Sequence, residues 1–188
     1  MIVLNDVLTG SLVDSLRNLA LDVVLGRTKD AGLAVKTNYS WDSDIVLDSA
    51  PVLCIAIPDL LAEALEAELI KNNVLNHEED ESIVGTAMIY VWFKGSYIPP
   101  HGDMGFSKAV TLYLTPSWEP VDGGMFIFKS AKTGIWEVVM PNFNSGVIND
   151  ANEIHLVTPI QSSSKLRITA QIFIKPKQKT PTYLEYTK

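Results

Sequence analysis

The sequence predicts a mainly β domain, a sandwich or barrel, with its helices confined to the first half. Three observations carry this. Two stretches of helical periodicity precede residue 75; from about Ser82 onward seven short β-rich segments follow one another, separated by turn residues; and no repeat, low-complexity block or Gly/Ser/Pro linker divides the chain. Its 188 residues therefore read as one domain, residues 1–188, with helical and strand support over 1–80 and a β core over 81–176.

Leu12, Leu16, Leu19 and Val23 step by four, three and four, with Ser11 before and Gly26 after as caps, so a first amphipathic helix is expected there. "DIVLDSAPVLCIAI" reads as one or two short strands. A second helix follows in "IPDLLAEALEAELIKNN": Pro58 suits a first turn, Asp59 and Glu63 sit near the positive end, and Leu61, Leu65 and Leu69 form a stripe. The β segments are "IVGTAMIYVWF", "KAVTLYL", "GGMFIF", "IWEVVM", "SGVIN", "IHLVTPI" and "KLRITAQIFI". Two of them alternate cleanly. Val110, Leu112 and Leu114 face one way against Ala109, Thr111, Tyr113 and Thr115; Leu166, Ile168, Ala170 and Ile172 oppose Lys165, Arg167, Thr169 and Gln171. Either the polar faces meet water, or the apolar faces pack on the helices and the polar faces line a cavity.

Composition narrows the function. Hydrophobic residues are 47% and charged residues 20%, and no run reaches the length of a membrane span, which predicts a soluble protein. The N-terminus lacks the pattern of a secretory signal and Cys54 is the single cysteine, so a cytoplasmic location is expected. A formal charge of -7 and the lack of a basic-aromatic groove argue against nucleic acid.

The chemistry concentrates at "YIPPHGDMGFSKAVTLYL". His101 and Asp103, two apart on an extended chain, point to one face, but one nitrogen and one carboxylate make an incomplete metal site. His155 in "NEIHLVTPI" completes it. Two histidines and a carboxylate, two from a close pair and one from a distant strand, are what a facial triad needs to hold Fe(II) with positions left open for oxygen chemistry. A cation further on, Lys165 or Arg167, is placed to grip the far carboxylate of a dicarboxylate chelating the same iron, with Thr169 and Tyr113 as hydroxyl partners. Met88, Tyr90 and Trp92 alternate and read either as pocket floor or as plain core. The Gly123–Gly124 pair and Trp118 read as turn and strand residues, Cys54 as core, and "KPKQKTPTYLEYTK" as an extended terminus.

"HGD", "LYLTPSW", "GGMFIF", "HLVTPI" and "RITAQIF", in that order over roughly Ala87 to Ile174, resemble the non-haem iron and 2-oxoglutarate-dependent dioxygenases, in particular the prolyl-4-hydroxylase-like branch. The resemblance implies a double-stranded β-helix, or jelly-roll, buttressed by the N-terminal helices. It places Fe(II) on His101, Asp103 and His155, matches Tyr113 to a tyrosine that contacts the 2-oxoglutarate tail, and leaves the anchor between Lys165 and Arg167. Arg167 is favoured because its fork binds a carboxylate bidentately. The implied cofactors are Fe(II), 2-oxoglutarate as co-substrate and O2, with ascorbate as a further candidate.

The implied activity is hydroxylation of a peptide or protein proline, with succinate and CO2 as co-products. Relatives that halogenate lack the carboxylate, so Asp103 favours hydroxylation. The alternatives are the same chemistry on a free amino acid, another small molecule or a nucleic acid base, and a non-catalytic barrel that only binds. His77 lies in an acidic run in which Glu78, Glu79, Asp80 and Glu81 read as a solvated loop, or as a loop closing over a basic peptide.

Overall fold

The computed structural model describes residues 1–28, 35–37, 52–103, 105–150 and 152–177. In chain order the elements are β1 (Ile2–Leu4), α1 (Gly10–Val24), β2 (Val35–Thr37), β3 (Val52–Ala56), α2 (Asp59–Lys71), β4 (Met88–Trp92), β5 (Ile98–His101), β6 (Lys108–Tyr113), β7 (Phe126–Lys129), β8 (Trp136–Val139), β9 (Ser145–Asp150), β10 (His155–Val157) and β11 (Arg167–Ile174), with one 3₁₀ turn at Pro120–Asp122. Residues 44–51 of the expected early strand pair, and the terminus beyond residue 177, lie outside the described residues.

The strands form two antiparallel sheets, one of seven strands in the order β1-β9-β6-β11-β4-β3-β2 and one of four in the order β5-β10-β7-β8. This is a jelly-roll sandwich. The alternation in β6 and β11 explains how it is layered. Val110 and Leu112, with Ile168, Ala170 and Ile172, join Leu12, Leu16, Leu65 and Leu69 of the helices in one buried cluster. From the other face of the large sheet Tyr90, Trp92 and Tyr113 pack with Phe126, Phe128 and Val157 of the small sheet. The apolar faces are thus the helix-facing ones, and the polar faces look into the sandwich. A fully buried leucine such as Leu16 or Leu65 contributes on the order of 2 kcal/mol to this layering.

Local chemistry sets the helix ends. Thr9, not Ser11, is the N-cap of α1, and it makes no side-chain capping bond. The C-terminal end follows expectation: Gly26 adopts φ +64, its N–H reaches the Val23 carbonyl and that of Arg27 the Asp22 carbonyl, the paired bonds of a Schellman motif. Pro58 stands at the N-cap of α2, just before the first turn, while Leu65 and Leu69 are buried as the stripe requires. The first eighty residues supply strands as well as helices, since β1 pairs with β9 and β3 with β4. Among the described residues no helix is long and apolar enough to cross a membrane.

Candidate metal and co-substrate site

The small sheet brings the two histidines together. His155 of β10 is the register partner of His101 of β5, and their ring centroids lie 4.3 Å apart. Two residues past the end of β5, Asp103 turns back between them: its Oδ1 is 3.7 Å from His101 Nε2 and its Oδ2 is 3.6 Å from His155 Nε2. One donor atom from each residue falls within a 4.8 Å cluster.

Backbone carbonyls set the tautomers. His101 Nδ1 lies 3.0 Å from the Pro99 carbonyl and His155 Nδ1 lies 2.8 Å from that of Glu153. An Nδ1–H donated to each carbonyl leaves both Nε2 lone pairs turned toward the carboxylate, the arrangement a metal ion needs. Burial holds the His155 imidazole below the usual histidine range, against the upward pull of the Asp103 carboxylate and the Glu153 carbonyl. A neutral imidazole is the ligating form. The donor set therefore fits a divalent ion that accepts mixed nitrogen and oxygen ligands.

A narrow cleft runs from this cluster between the sheets, walled by Tyr90, Trp92, Ile98, Phe126, Val157 and Phe173, with Thr111, Gln171 and Arg167 as further polar members. Arg167 dominates it electrostatically. Its side chain is 1% exposed, and none of its three guanidinium nitrogens has a hydrogen-bond partner. The guanidinium stacks over Trp92 and Tyr113, at 5.0 and 5.3 Å from the ring centroids. Burial pulls it down to about 10 and pushes the Tyr113 phenol up to about 12; the charge of each group and a close Arg167–Tyr113 approach ease both shifts, although that approach falls short of hydrogen-bond geometry. A fall from 12.5 to about 10 corresponds to roughly 3 kcal/mol against the charged form, present at every pH below the folded value. Such a cation fits an anionic ligand, and a carboxylate would satisfy its fork.

The other expected residues separate. Thr169 is buried and its hydroxyl accepts a 3.0 Å bond from the Trp92 indole N–H, so it buttresses the wall beside Arg167. Lys165 does not share the cleft. Parity extends only as far as the strand, and β11 begins at Arg167; Lys165 instead donates to Asp122 Oδ2 at 2.6 Å and to the Ser117 carbonyl at 2.7 Å. The Lys165 bond, with the Glu119 N–H, holds the Asp122 carboxyl below its ordinary range. That contact steadies the turn before Gly123 and Gly124, and Gly124 abuts Arg167: a Cβ there would lie 2.5 Å from Ile160 Cδ1 and 3.0 Å from Arg167 Cδ.

The acidic run also falls elsewhere. Asp80 is buried, pairs with Lys108 at 2.9 Å and accepts the Asn76 N–H at 2.9 Å. Lys108 shares the parity of Val110 and Leu112, so Asp80 lies on the helix side of the large sheet, away from the cleft. Backbone bonds from Glu81 to Lys175 and from Lys177 to Glu79 fasten the run to the segment after β11. Asp80 is a structural partner and not a free contact for substrate.

Sequence reasoning did not single out Asn149 as a site residue, and it saw Thr111 and Gln171 only as members of polar strand faces. Thr111 donates to Gln171 Oε1 at 2.8 Å inside the cleft, and the Asn149 amide donates to Asp103 Oδ2 at 2.8 Å. The available signal was an amide inside a strand of small and apolar residues, "SGVIND".

No protein-family model matches the chain, and no curated protein is similar to it in sequence. Solved structures are similar in fold. A prolyl-4-hydroxylase from Pseudomonas putida superposes with a TM-score of 0.66 at 16% identity, covering 94% of this chain and 92% of that one. A prolyl hydroxylase from Trichoplax adhaerens, in complex with a hypoxia inducible factor peptide fragment, gives 0.72 at 14%, covering 93% and 82%. HygX from Streptomyces hygroscopicus, with nickel, 2-oxoglutarate and hygromycin B bound, gives 0.60 at 14%, covering 95% and 84%. The chain thus shares the fold of the prolyl-4-hydroxylases and other 2-oxoglutarate and iron(II) oxygenases.

Proposed function

We propose that the protein is an Fe(II)- and 2-oxoglutarate-dependent hydroxylase acting on a prolyl residue of a peptide or protein. One observation carries the oxygenase reading: a cluster of two histidines and a carboxylate shares a cleft with a buried guanidinium that has no acceptor. His101, Asp103 and His155 would hold the metal. Arg167 would bind the far carboxylate of 2-oxoglutarate through its fork, and the Tyr113 hydroxyl would donate to the same group. Trp92, Tyr90 and Phe126 would keep water from the enclosed part of the cleft. When bound, iron(II) with O2 and 2-oxoglutarate supplies the oxidising equivalents that place one oxygen atom in a substrate C–H bond and the other in succinate, with loss of CO2. The prolyl substrate is supported by the fold neighbours that are prolyl hydroxylases. The acidic run lends it no support.

The test is succinate formation from 2-oxoglutarate across a panel of proline-containing peptides, free amino acids and other metabolites, with mass spectrometry for one added oxygen. Peptides are expected to stimulate succinate release and to gain hydroxyproline. Brisk turnover of a free amino acid or other small molecule, with no hydroxyproline, would replace the substrate assignment and leave the oxygenase reading standing. Failure to bind both a divalent metal and 2-oxoglutarate would remove that reading as well.

Gly124→Ala tests the pocket from its side. The residue has φ +64, and the added methyl meets both Ile160 and the Arg167 stem, so the variant is expected to melt earlier and to bind 2-oxoglutarate at least several-fold more weakly. Gly123→Ala is the control: its methyl meets the Pro159 carbonyl at 2.2 Å, and its three nearest atoms belong to Pro159 and Gln161, not to Arg167. It should lose stability while keeping co-substrate affinity in the fraction that folds, and equal loss of affinity in both variants would refute the Gly124–Arg167 link.

A further inference from the structure

Asp103 stands on the loop that leaves the small sheet, whereas Asn149 belongs to the large one. Asn149 lies in β9 opposite Ala109 of β6, on the side of the sheet shared with Val147 and facing the interior of the sandwich. It is 1% exposed, and its amide nitrogen donates to Asp103 Oδ2 at 2.8 Å. A buried primary amide is costly unless it bonds, and this one, next to the end of β9, gives a donor to the carboxylate of the candidate metal cluster. The bond therefore joins the two sheets at the metal end of the cleft.

We infer that Asn149 is a positioning residue that fixes the rotation of the Asp103 carboxylate and keeps it a one-oxygen ligand; this rests on the proposed metal site. The chemistry follows from valence. A free carboxylate can turn about its Cβ–Cγ bond and offer both oxygens to one ion. With the Asn149 N–H on Oδ2 the two oxygens become inequivalent: Oδ2, 3.6 Å from His155 Nε2, already carries a hydrogen bond, while Oδ1, 3.7 Å from His101 Nε2, does not carry that bond. One oxygen from Asp103 and one nitrogen from each histidine would hold a divalent ion and would leave the rest of its coordination open to a keto acid and O2. A two-oxygen Asp103 would leave less of it open. Asn149 thus acts on how many positions remain open, through Asp103 and without touching the ion or the substrate.

Two variants separate this role from mere packing. Asn149→Ala removes the donor, and Asn149→Asp is nearly isosteric but replaces the donor by a second carboxylate beside the metal. Each is titrated anaerobically with Mn(II), then at saturating Mn(II) with 2-oxoglutarate, by calorimetry, and each is melted without metal. Loss of the outer partner in Asn149→Ala should weaken Mn(II) about 10–100-fold and, with the Asp103 carboxylate free to turn both oxygens to the ion, should also weaken 2-oxoglutarate at saturating Mn(II) at least several-fold. Asn149→Asp should hold Mn(II) at least as well as Asn149→Ala does by tenfold, because it adds a negative ligand, yet bind 2-oxoglutarate at least tenfold more weakly than the parent protein, because a position is occupied.

The inference is overturned if Asn149→Ala keeps the parent affinity for Mn(II), or if the two variants weaken Mn(II) alike. Either result would make Asn149 a packing residue only. Should Asn149→Ala fail to fold, Asn149→Ser, whose hydroxyl is too short to reach Asp103 Oδ2, takes its place in both titrations. A parent protein that binds no Mn(II) would instead count against the metal site itself, which is a different result from a parent that binds and a variant that does so equally.

Discussion

Changing His101, Asp103 or His155 to alanine is expected to abolish iron-dependent 2-oxoglutarate turnover in each case while the protein still folds. Each removes one of three donors, and a two-ligand remnant cannot hold the ion against water. The cost to the fold is small by comparison. His101 and His155 each give up one hydrogen bond to a carbonyl, about 1 kcal/mol apiece. Asp103→Ala strands the Asn149 amide, on the order of 1–3 kcal/mol. Metal titration followed by a thermal melt checks both halves. Near-parent metal affinity in any one of these variants would sink the ligand assignment for that residue.

Arg167→Met should bind 2-oxoglutarate far more weakly than the parent and yet melt higher in the metal-free state. A buried, charge-assisted carboxylate partner is worth on the order of 2–5 kcal/mol to the ligand. Without ligand the same guanidinium is an unpaired buried charge, and exchanging it for an apolar side chain of similar reach should stabilise the empty fold by roughly 1–3 kcal/mol. Lys165→Ala should do the opposite. It breaks the contacts to Asp122 and Ser117, lowers the melting temperature, and disturbs 2-oxoglutarate only through the turn that carries Gly124. Calorimetric titration of the two variants orders them, and a larger loss in Lys165→Ala would reverse the choice of anchor.

Much of this was legible in the chain because it depends on period and spacing. The alternation of β6 and β11 is a property of any strand with unlike faces, and it identified the polar faces that now line the cleft. The meeting of His101 and His155 was accessible because their motifs are short and ordered. What escaped depends on where strands begin and which sheet they join. Lys165 and Arg167 look equivalent by parity, but the strand starts between them and the lysine turns to Asp122. β1, three residues long, gave no periodicity to count. The acidic run read as a solvated loop because no local cation pairs Asp80; its ionic partner, Lys108, comes from β6. Asn149 was invisible for the same reason, since its meaning lies across the sandwich in Asp103.

The division of the site between the two sheets has a consequence for selectivity. The candidate metal cluster is held by β5, the loop that follows it and β10, and the guanidinium by β11, so the two ends of the cleft belong to opposite walls of the sandwich. Stacked sheets hold a spacing of about 10 Å, set by close-packed side chains that resist compression. On the proposed reading the walls act as a fixed ruler for the length of a keto diacid. A molecule one methylene short would reach the metal and leave the buried guanidinium without its partner; one methylene long would have to buckle against Trp92 and Tyr113. Length discrimination would then come from the rigidity of the whole core, with no single residue appointed to measure it.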